Sequence, residues 1–240
     1  MLPDLRAILT VIVTGTFVTS PLVTPPFSGF RPDQFPNPQV DPPVQPEGYA
    51  FAIWGLIYAW LVVSALFGLV ARRRDPAWDH VRGPLILSLA LGTPWLWIAN
   101  QSAIWASVVI VLMAATAIVA LLRCPQADRW WLAAPVALYA GWLTAAASVS
   151  VAVTLSGYGI LLGSEGWAVA LIVTALLVAL SVQSRARHAP DYGAAVIWAL
   201  IGIVVANLRG SGLADVGIVA AGGAILMALG TARAVARARA

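Results

Sequence analysis

The chain has 240 residues, of which 60% are hydrophobic and only 10% are charged, and its mean hydropathy is +0.86. Soluble domains carry about a quarter charged residues, so this composition excludes a soluble globular protein and indicates several membrane spans of ~20 residues. The net charge is +4, and every basic residue is an arginine. These arginines are spread thinly between apolar runs, which favours membrane topology over a nucleic-acid partner.

Apolar runs bounded by charged residues, proline or glycine predict eight membrane-spanning helices. We place these helices at residues 5–24, 49–71, 83–100, 103–123, 130–155, 166–184, 191–208 and 212–233. The predicted fold is therefore an all-α, polytopic membrane helix bundle.

Arginine placement predicts the orientation of this bundle, because loops on the inner side of a membrane are enriched in basic residues. If the N-terminus lies inside, the inner segments hold 12 arginines and the outer segments hold only Arg31 and Arg209. The predicted topology therefore has both termini on the inner side.

The first outer loop, residues 25–48, contains eight prolines. Such a segment cannot form a helix and favours extended polyproline conformations. Two interpretations stay open. The loop is either a stiff linker or a lid over the outer mouth of the bundle, since long loops without secondary structure often carry function.

Aromatic residues mark the start of the second span. Phe51, Trp54 and Tyr58 are spaced i, i+3 and i+7, which places their rings on one helix face. Trp95 and Trp97 approach the same outer side from the third span. The rings serve either as interface anchors or as the wall of a pocket for a flat apolar ligand.

The fifth span repeats this pattern with smaller residues. Tyr139, Trp142, Ala146 and Ser150 recur on one helix face. Small residues allow close helix packing, and they equally leave a slot beside the rings. Pairs of small residues four apart in the last two spans indicate close contacts within the chain or between two copies; they are Gly202 with Ala206, and Gly217 with Ala221.

Residue types that carry catalysis are not arranged for it in this sequence. We find no paired carboxylates, Ser-His-Asp set, metal-ligand spacing or phosphate-binding loop. We therefore predict no catalytic residue, no metal site and no required cofactor. No charged side chain lies near the middle of a predicted span, which argues against a proton-coupled transporter.

The two aromatic segments together resemble the TspO/MBR family of tryptophan-rich sensory and translocator proteins. In that family, the second span opens with a proline, then aromatic-x-Phe, and then a Trp followed four residues later by Tyr. Those positions correspond here to Pro46, Tyr49, Phe51, Trp54 and Tyr58. The family motif of the fifth span falls on Pro135, Tyr139, Trp142 and Ala146, with Ser150 where the family typically has Asn.

This resemblance covers about residues 5–157 and implies a five-helix membrane domain (1–157), to which residues 158–240 add about three helices. It implies a receptor or carrier that binds a porphyrin or haem-like tetrapyrrole, or a sterol-like molecule, in a cavity inside the bundle. The implied partners are membrane lipid, a hydrophobic small molecule and a second copy of the chain, in a bacterial cell membrane.

The residues expected to line the cavity are Phe51, Trp54, Tyr58, Trp95, Trp97, Tyr139, Trp142 and Ser150. Two alternatives to a receptor or carrier remain open. One is a transporter of a small solute, and the other is an enzyme that degrades a bound porphyrin.

Overall fold

The computed structural model describes residues 2–209 and 214–239, and these ranges contain helices and turns but no strand. Two short 3₁₀ segments, Pro32–Gln34 and Gly48–Ala52, lie in and after the proline-rich loop. The α-helices within the described ranges are α1 (Leu2–Val23), α2 (Ile53–Val70), α3 (Pro76–Gly92), α4 (Trp95–Gln101), α5 (Ala103–Leu122), α6 (Ala133–Gly157), α7 (Ser164–Arg185), α8 (Asp191–Arg209) and α9 (Ala214–Arg239).

Eight segments of the described residues are long and apolar enough to cross a membrane, which confirms the predicted all-α bundle of eight spans. The first residues of the predicted eighth span, 212 and 213, lie outside the described residues. The orientation with both termini inside stays a prediction.

The third span differs most from its predicted bounds, because it begins at Pro76 rather than at residue 83. Asp75 caps this helix by accepting a hydrogen bond from the Ala77 amide at 2.9 Å, and proline suits the first helical position. The span is also interrupted at Thr93 and Pro94, where α3 ends and the short α4 begins. Proline cannot donate the hydrogen bond that a continuous helix needs there.

Helix α6 lies at the centre of the bundle and packs against α5, α7 and α8. Most of its side chains are buried, although it is 25 residues long. One continuous hydrophobic core joins residues on both sides of position 157, from Phe17 in α1 to Met227 in α9. The proposed division into two membrane domains at residue 157 stays a prediction.

The small residues of α8 and α9 make contacts within the chain. A Cβ atom on Gly202 would lie 2.9 Å from the Cβ atoms of Pro46 and Ala50, and one on Gly217 would lie 3.3 Å from the Cβ of Asn207. These glycines therefore allow close packing inside one molecule, and the homodimer stays a prediction.

Ion pairs tie together the end of the bundle that holds most of the arginines. Four of them link α1, the α2–α3 connection, the start of α3, the α5–α6 connection and the start of α8; they are Arg6–Asp79 at 2.8 Å, Arg73–Asp4 at 2.8 Å, Arg72–Asp128 at 2.7 Å and Arg129–Asp191 at 2.6 Å. The basic segments assigned to the inner side thus lie together at one end, opposite the proline-rich loop.

The hydrogen bonds of Asp128 at this end make the stability of the folded protein depend on pH. Its carboxylate accepts two hydrogen bonds from Arg72 and one from the Trp78 indole, and the Arg72 guanidinium holds the pKa of Asp128 below its usual value. A lowered pKa in the folded state means that the stabilisation is complete above the ordinary carboxyl pKa of about 3.9 and is lost as the pH falls through the folded value. We expect Asp128→Asn to lower the unfolding temperature by a few degrees at pH 7, with the difference shrinking below about pH 4.

Asparagine is the suitable replacement, because Asp128 has a φ of 55°, a conformation that Asn also tolerates. Thermal unfolding of both proteins from pH 3 to pH 7 in one detergent measures the effect. Asp33→Asn is the control, since Asp33 pairs with Arg31 on an exposed loop. An offset between Asp128→Asn and the parent protein that does not change with pH would contradict the assignment.

Candidate functional site

A cavity of about 260 Å³ lies at the end of the bundle that carries the proline-rich loop. Its walls come from α1, the start of the second span, α3 to α6 and the loop itself. The residues that line it are Phe17, Ser20, Pro21, Pro25, Pro26, Phe27, Gly29, Phe30, Gln45, Pro46, Phe51, Trp54, Tyr58, Gly92, Trp95, Leu96, Ile110, Met113, Trp142, Leu143, Ala146, Val149, Ser150 and Val153.

Five of the predicted aromatic residues line this cavity, four of them from the second and fifth spans. Trp54 and Tyr58 lie one turn apart on α2, and their rings stack with centroids 5.2 Å apart. Trp142 on α6 presents its ring edge-on to Trp54 at 6.3 Å and to Phe51 at 5.8 Å. The second and fifth spans therefore bring their rings to one space, as their spacing predicts.

Phe17 on α1 completes this cluster and is missing from the residues predicted from sequence. Its buried ring makes edge contacts with Trp54, Tyr58 and Tyr139 at centroid distances of 6.0, 5.5 and 5.7 Å. It also fills the space beside Gly92, where a Cβ atom would lie 2.6 Å from the Phe17 ring. Phe17 and Gly92 thus join α1 to α3 at the cavity wall.

The small residues of α6 leave room beside the rings. Trp142, Ala146 and Ser150 all line the cavity from successive turns, so this face of α6 forms a slot at the cavity. The Ser150 hydroxyl is 2.8 Å from that of Ser107 on α5, and Ser107 also lies 2.8 Å from the Thr154 hydroxyl. Ser150 therefore links α6 to α5 at the cavity wall.

Trp95 lines the cavity and Trp97 does not, whereas the sequence predicts that both line it. Trp95 lines it and donates its indole N–H to the Ala106 carbonyl at 2.9 Å. Trp97 is 60% exposed on the outside of the bundle. Residues two apart in a helix point in nearly opposite directions, so the turn of α4 that brings Trp95 inward turns Trp97 outward.

Tyr139 is also not part of the cavity wall. Its side chain is completely buried, its hydroxyl lies 3.0 Å from that of Ser88, and its ring packs on Phe17. Tyr139 lies almost one turn before Trp142 on α6, so it packs in the core and supports the cavity wall through Phe17.

The proline-rich loop covers the cavity, which favours the lid over the linker among the two interpretations of its sequence. Phe27 and Phe30, also missed from sequence, line the cavity and contact each other at 5.6 Å, and Phe27 contacts Trp95 at 5.2 Å. Gly29 has a φ of 132°, and a Cβ atom there would lie 2.7 Å from the Gln45 side chain. Glycine therefore permits the turn that folds the two aromatic residues over the bundle.

Helix α8 holds the second half of this loop. The Asn207 side chain donates to the Pro43 carbonyl at 2.8 Å, and the Trp198 indole donates to the Ala50 carbonyl at 2.8 Å. The Glu47 amide donates to the Gly202 carbonyl at 3.0 Å. The C-terminal part of the chain thus fixes the segment that leads directly into Phe51.

The chemical character of the wall is aromatic and aliphatic. None of the described residues that line the cavity is acidic, basic or a histidine. The described part of the chain also contains no group of three or more His, Cys, Asp or Glu side chains that could hold a metal ion. Ring faces and a few hydrogen-bonding groups suit binding of a flat, mostly apolar molecule.

Comparison with known proteins identifies the family. A family model described as TSPO-like protein matches residues 7–233, which reaches from α1 into α9 and so extends beyond the residues 5–157 that carry the aromatic motifs. No curated protein and no solved structure matches the chain. The chain is a multi-pass integral membrane protein and belongs to the family of TSPO-like proteins.

Proposed function

We propose that this protein is a membrane receptor or carrier that binds a hydrophobic planar ligand of the tetrapyrrole class in the aromatic cavity. The proposal is carried by the convergence of Phe51, Trp54, Tyr58 and Trp142 on one space under the proline-rich loop. A tetrapyrrole is large, flat and mostly apolar, so its faces pack against indole and phenol rings. Membership of the TSPO-like family supports a hydrophobic ligand.

The size of the cavity constrains how such a ligand binds. Its volume of about 260 Å³ is below the ~300–1,000 Å³ of most small-molecule sites. A tetrapyrrole therefore fits only if the proline-rich loop moves outward or if one edge of the ring projects from the mouth. Either way, Trp54 and Trp142 contact the inserted part, because they lie on the helices that form the inner wall.

Replacing both tryptophans tests the proposal. We expect the double variant Trp54→Ala, Trp142→Ala to bind protoporphyrin roughly 30-fold more weakly, because two ring contacts of about 1 kcal/mol each are lost. The measurement is an absorbance titration of protoporphyrin with purified protein in detergent, which does not depend on the number of tryptophans left.

The matched control is Trp97→Ala, Trp105→Ala. These tryptophans are 60% and 64% exposed on the outside of the bundle, so their loss should leave binding unchanged. Equal weakening in both double variants, or binding that neither variant changes, would place the ligand elsewhere and contradict the proposal.

A further inference from the structure

The arginines at the end of the bundle opposite the proline-rich loop differ in whether a carboxylate compensates their charge. All the aspartates at this end pair with arginines from residues 6–129; they are Asp4, Asp75, Asp79, Asp128 and Asp191. Four exposed arginines at the ends of α7 and α9 pair with no carboxylate of the described residues; they are Arg185, Arg187, Arg233 and Arg237. The ends of α7 and α9 therefore carry most of the uncompensated positive charge of this end.

The packing of α7 on α9 brings three of these arginines together. The two helices run in the same direction, and a Cβ atom on Gly230 would lie 2.5 Å from Leu180 Cδ2. Arg237 follows Gly230 by two turns, so it lies on the same face of α9 and about 10 Å further along. Arg187 follows Leu180 by the same seven residues, in the turn after α7, and is therefore level with Arg237. We call Arg187, Arg233 and Arg237 the basic seam.

Contacts with α8 hold the two helices in this register. The Gln183 side chain of α7 accepts a hydrogen bond from the Gly193 amide at 3.0 Å. A Cβ atom on Gly193 would lie 2.9 Å from that side chain and would overlap the Thr231 hydroxyl of α9. Arg187 and Arg233 follow these contacts within four residues. Arg185 lies two residues after Gln183 and so on the other side of α7, away from the seam.

The surroundings of the basic seam are those of a lipid headgroup site. Arginines gathered without carboxylates repel one another, and guanidinium groups bind phosphate with paired hydrogen bonds. Leu229 and Leu226 lie one and two turns before Arg233 on α9, and both are exposed within the membrane span of residues 215–238. A free phosphate would contact the arginines alone, whereas a phospholipid also covers these leucines with its acyl chains.

We propose that the basic seam binds the phosphate of an anionic phospholipid, whose acyl chains lie along the exposed apolar face of α9. The charge of the site selects anionic over zwitterionic headgroups, because each basic residue near the membrane surface attracts negatively charged lipid. The site lies at the opposite end of the bundle from the aromatic cavity, so this inference does not depend on the ligand of that cavity.

Phosphatidylglycerol with a fluorescent label on one acyl chain tests this inference. Its anisotropy reports binding to the purified full-length protein in a neutral detergent. We expect unlabelled phosphatidylglycerol to displace it from the wild-type protein at roughly 10-fold lower concentration than phosphatidylcholine does. The triple variant Arg187→Gln, Arg233→Gln, Arg237→Gln should bind the labelled lipid at least about 10-fold more weakly, because it removes the charge of the seam.

Two further triple variants separate the seam from general charge and from folding. Arg31→Gln, Arg123→Gln, Arg209→Gln removes the same charge from exposed positions outside the seam, so we expect it to bind the lipid as wild type does. Replacing the three seam arginines by lysine keeps their charge and should keep most of the binding. Thermal unfolding of each variant checks that it is folded.

Four results would overturn the proposal. One is an equal preference of the wild-type protein for the two lipids. Another is the same loss of binding in both glutamine variants, which would show a general effect of charge. A loss in the lysine variant as large as in the seam glutamine variant would show that the charge of the seam does not matter. Finally, displacement by inorganic phosphate as effective as by phosphatidylglycerol, at constant ionic strength, would identify a soluble anion rather than a lipid.

Discussion

Gly141→Ala is expected to destabilise the protein by about 2–3 kcal/mol, the upper part of the usual range for overpacking in a filled core. Gly141 lies where α6 crosses α8, and a Cβ atom there would overlap the carbonyl oxygen of Tyr192 and lie 2.9 Å from the Cβ of Ala195. Because the clash involves backbone, no side-chain rotation relieves it, and α8 must move away from α6. The displacement would also strain the hydrogen bond of 3.0 Å between the Thr144 and Tyr192 hydroxyls.

Gly55→Ala is the matched control for this substitution. Nothing lies within 4 Å of the position that its Cβ would take on the exposed face of α2. Alanine favours a helix by up to about 1 kcal/mol over glycine, so Gly55→Ala should be neutral or stabilising. Thermal unfolding in one detergent compares the two variants. A Gly141→Ala protein as stable as wild type would show that α6 and α8 do not cross this closely.

Freeing the proline-rich loop from α8 is expected to accelerate ligand release by roughly 30-fold. The double variant Trp198→Phe, Asn207→Leu removes the side-chain donors that hold the Ala50 and Pro43 carbonyls. Two hydrogen bonds of about 1 kcal/mol each then no longer hold the loop against the bundle. Stopped-flow displacement of bound protoporphyrin measures the dissociation rate.

The control for loop release is Trp167→Phe. Its indole also donates to a backbone carbonyl, that of Ile160, but in the connection between α6 and α7, which does not line the cavity. This variant should release protoporphyrin at the wild-type rate. An unchanged dissociation rate in the Trp198→Phe, Asn207→Leu protein would mean that ligand does not leave past the anchored loop.

The membrane spans and the aromatic residues that the second span contributes to the cavity could be predicted, because both depend on patterns within short stretches of sequence. Apolar runs of ~20 residues give the helices, and the spacing of Phe51, Trp54 and Tyr58 gives their shared face. Spacing alone did not predict that Trp97 faces outward. Helix α4 begins only after the break at Pro94, and packing against the other helices decides which face of α4 points to the cavity. Asp75 and Pro76 were also missed as the start of the third helix, although both are ordinary helix-start residues.

The remaining site residues depend on contacts between distant parts of the chain. Phe17 is the one aromatic ring in a span of aliphatic and small hydroxyl residues, and nothing in its neighbours tells which helix it faces. Asn207 and Pro43 are separated by 164 residues, so the anchoring of the loop by α8 leaves no periodic pattern in the sequence. The contribution of the C-terminal helices to the site therefore emerges only from the packed structure.

Filling the cavity tests most directly whether the aromatic cavity is the ligand-binding site. Ala146 lines the cavity from α6, and Ala146→Phe places a ring in a space of about 260 Å³ without removing any aromatic group. Ala115→Phe adds the same ring on the exposed face of α5 and is the control. In a protoporphyrin titration at equal protein stability, we expect Ala146→Phe to lose binding by at least 100-fold and Ala115→Phe to bind as wild type does. Wild-type affinity in Ala146→Phe would show that the aromatic cavity is not the binding site.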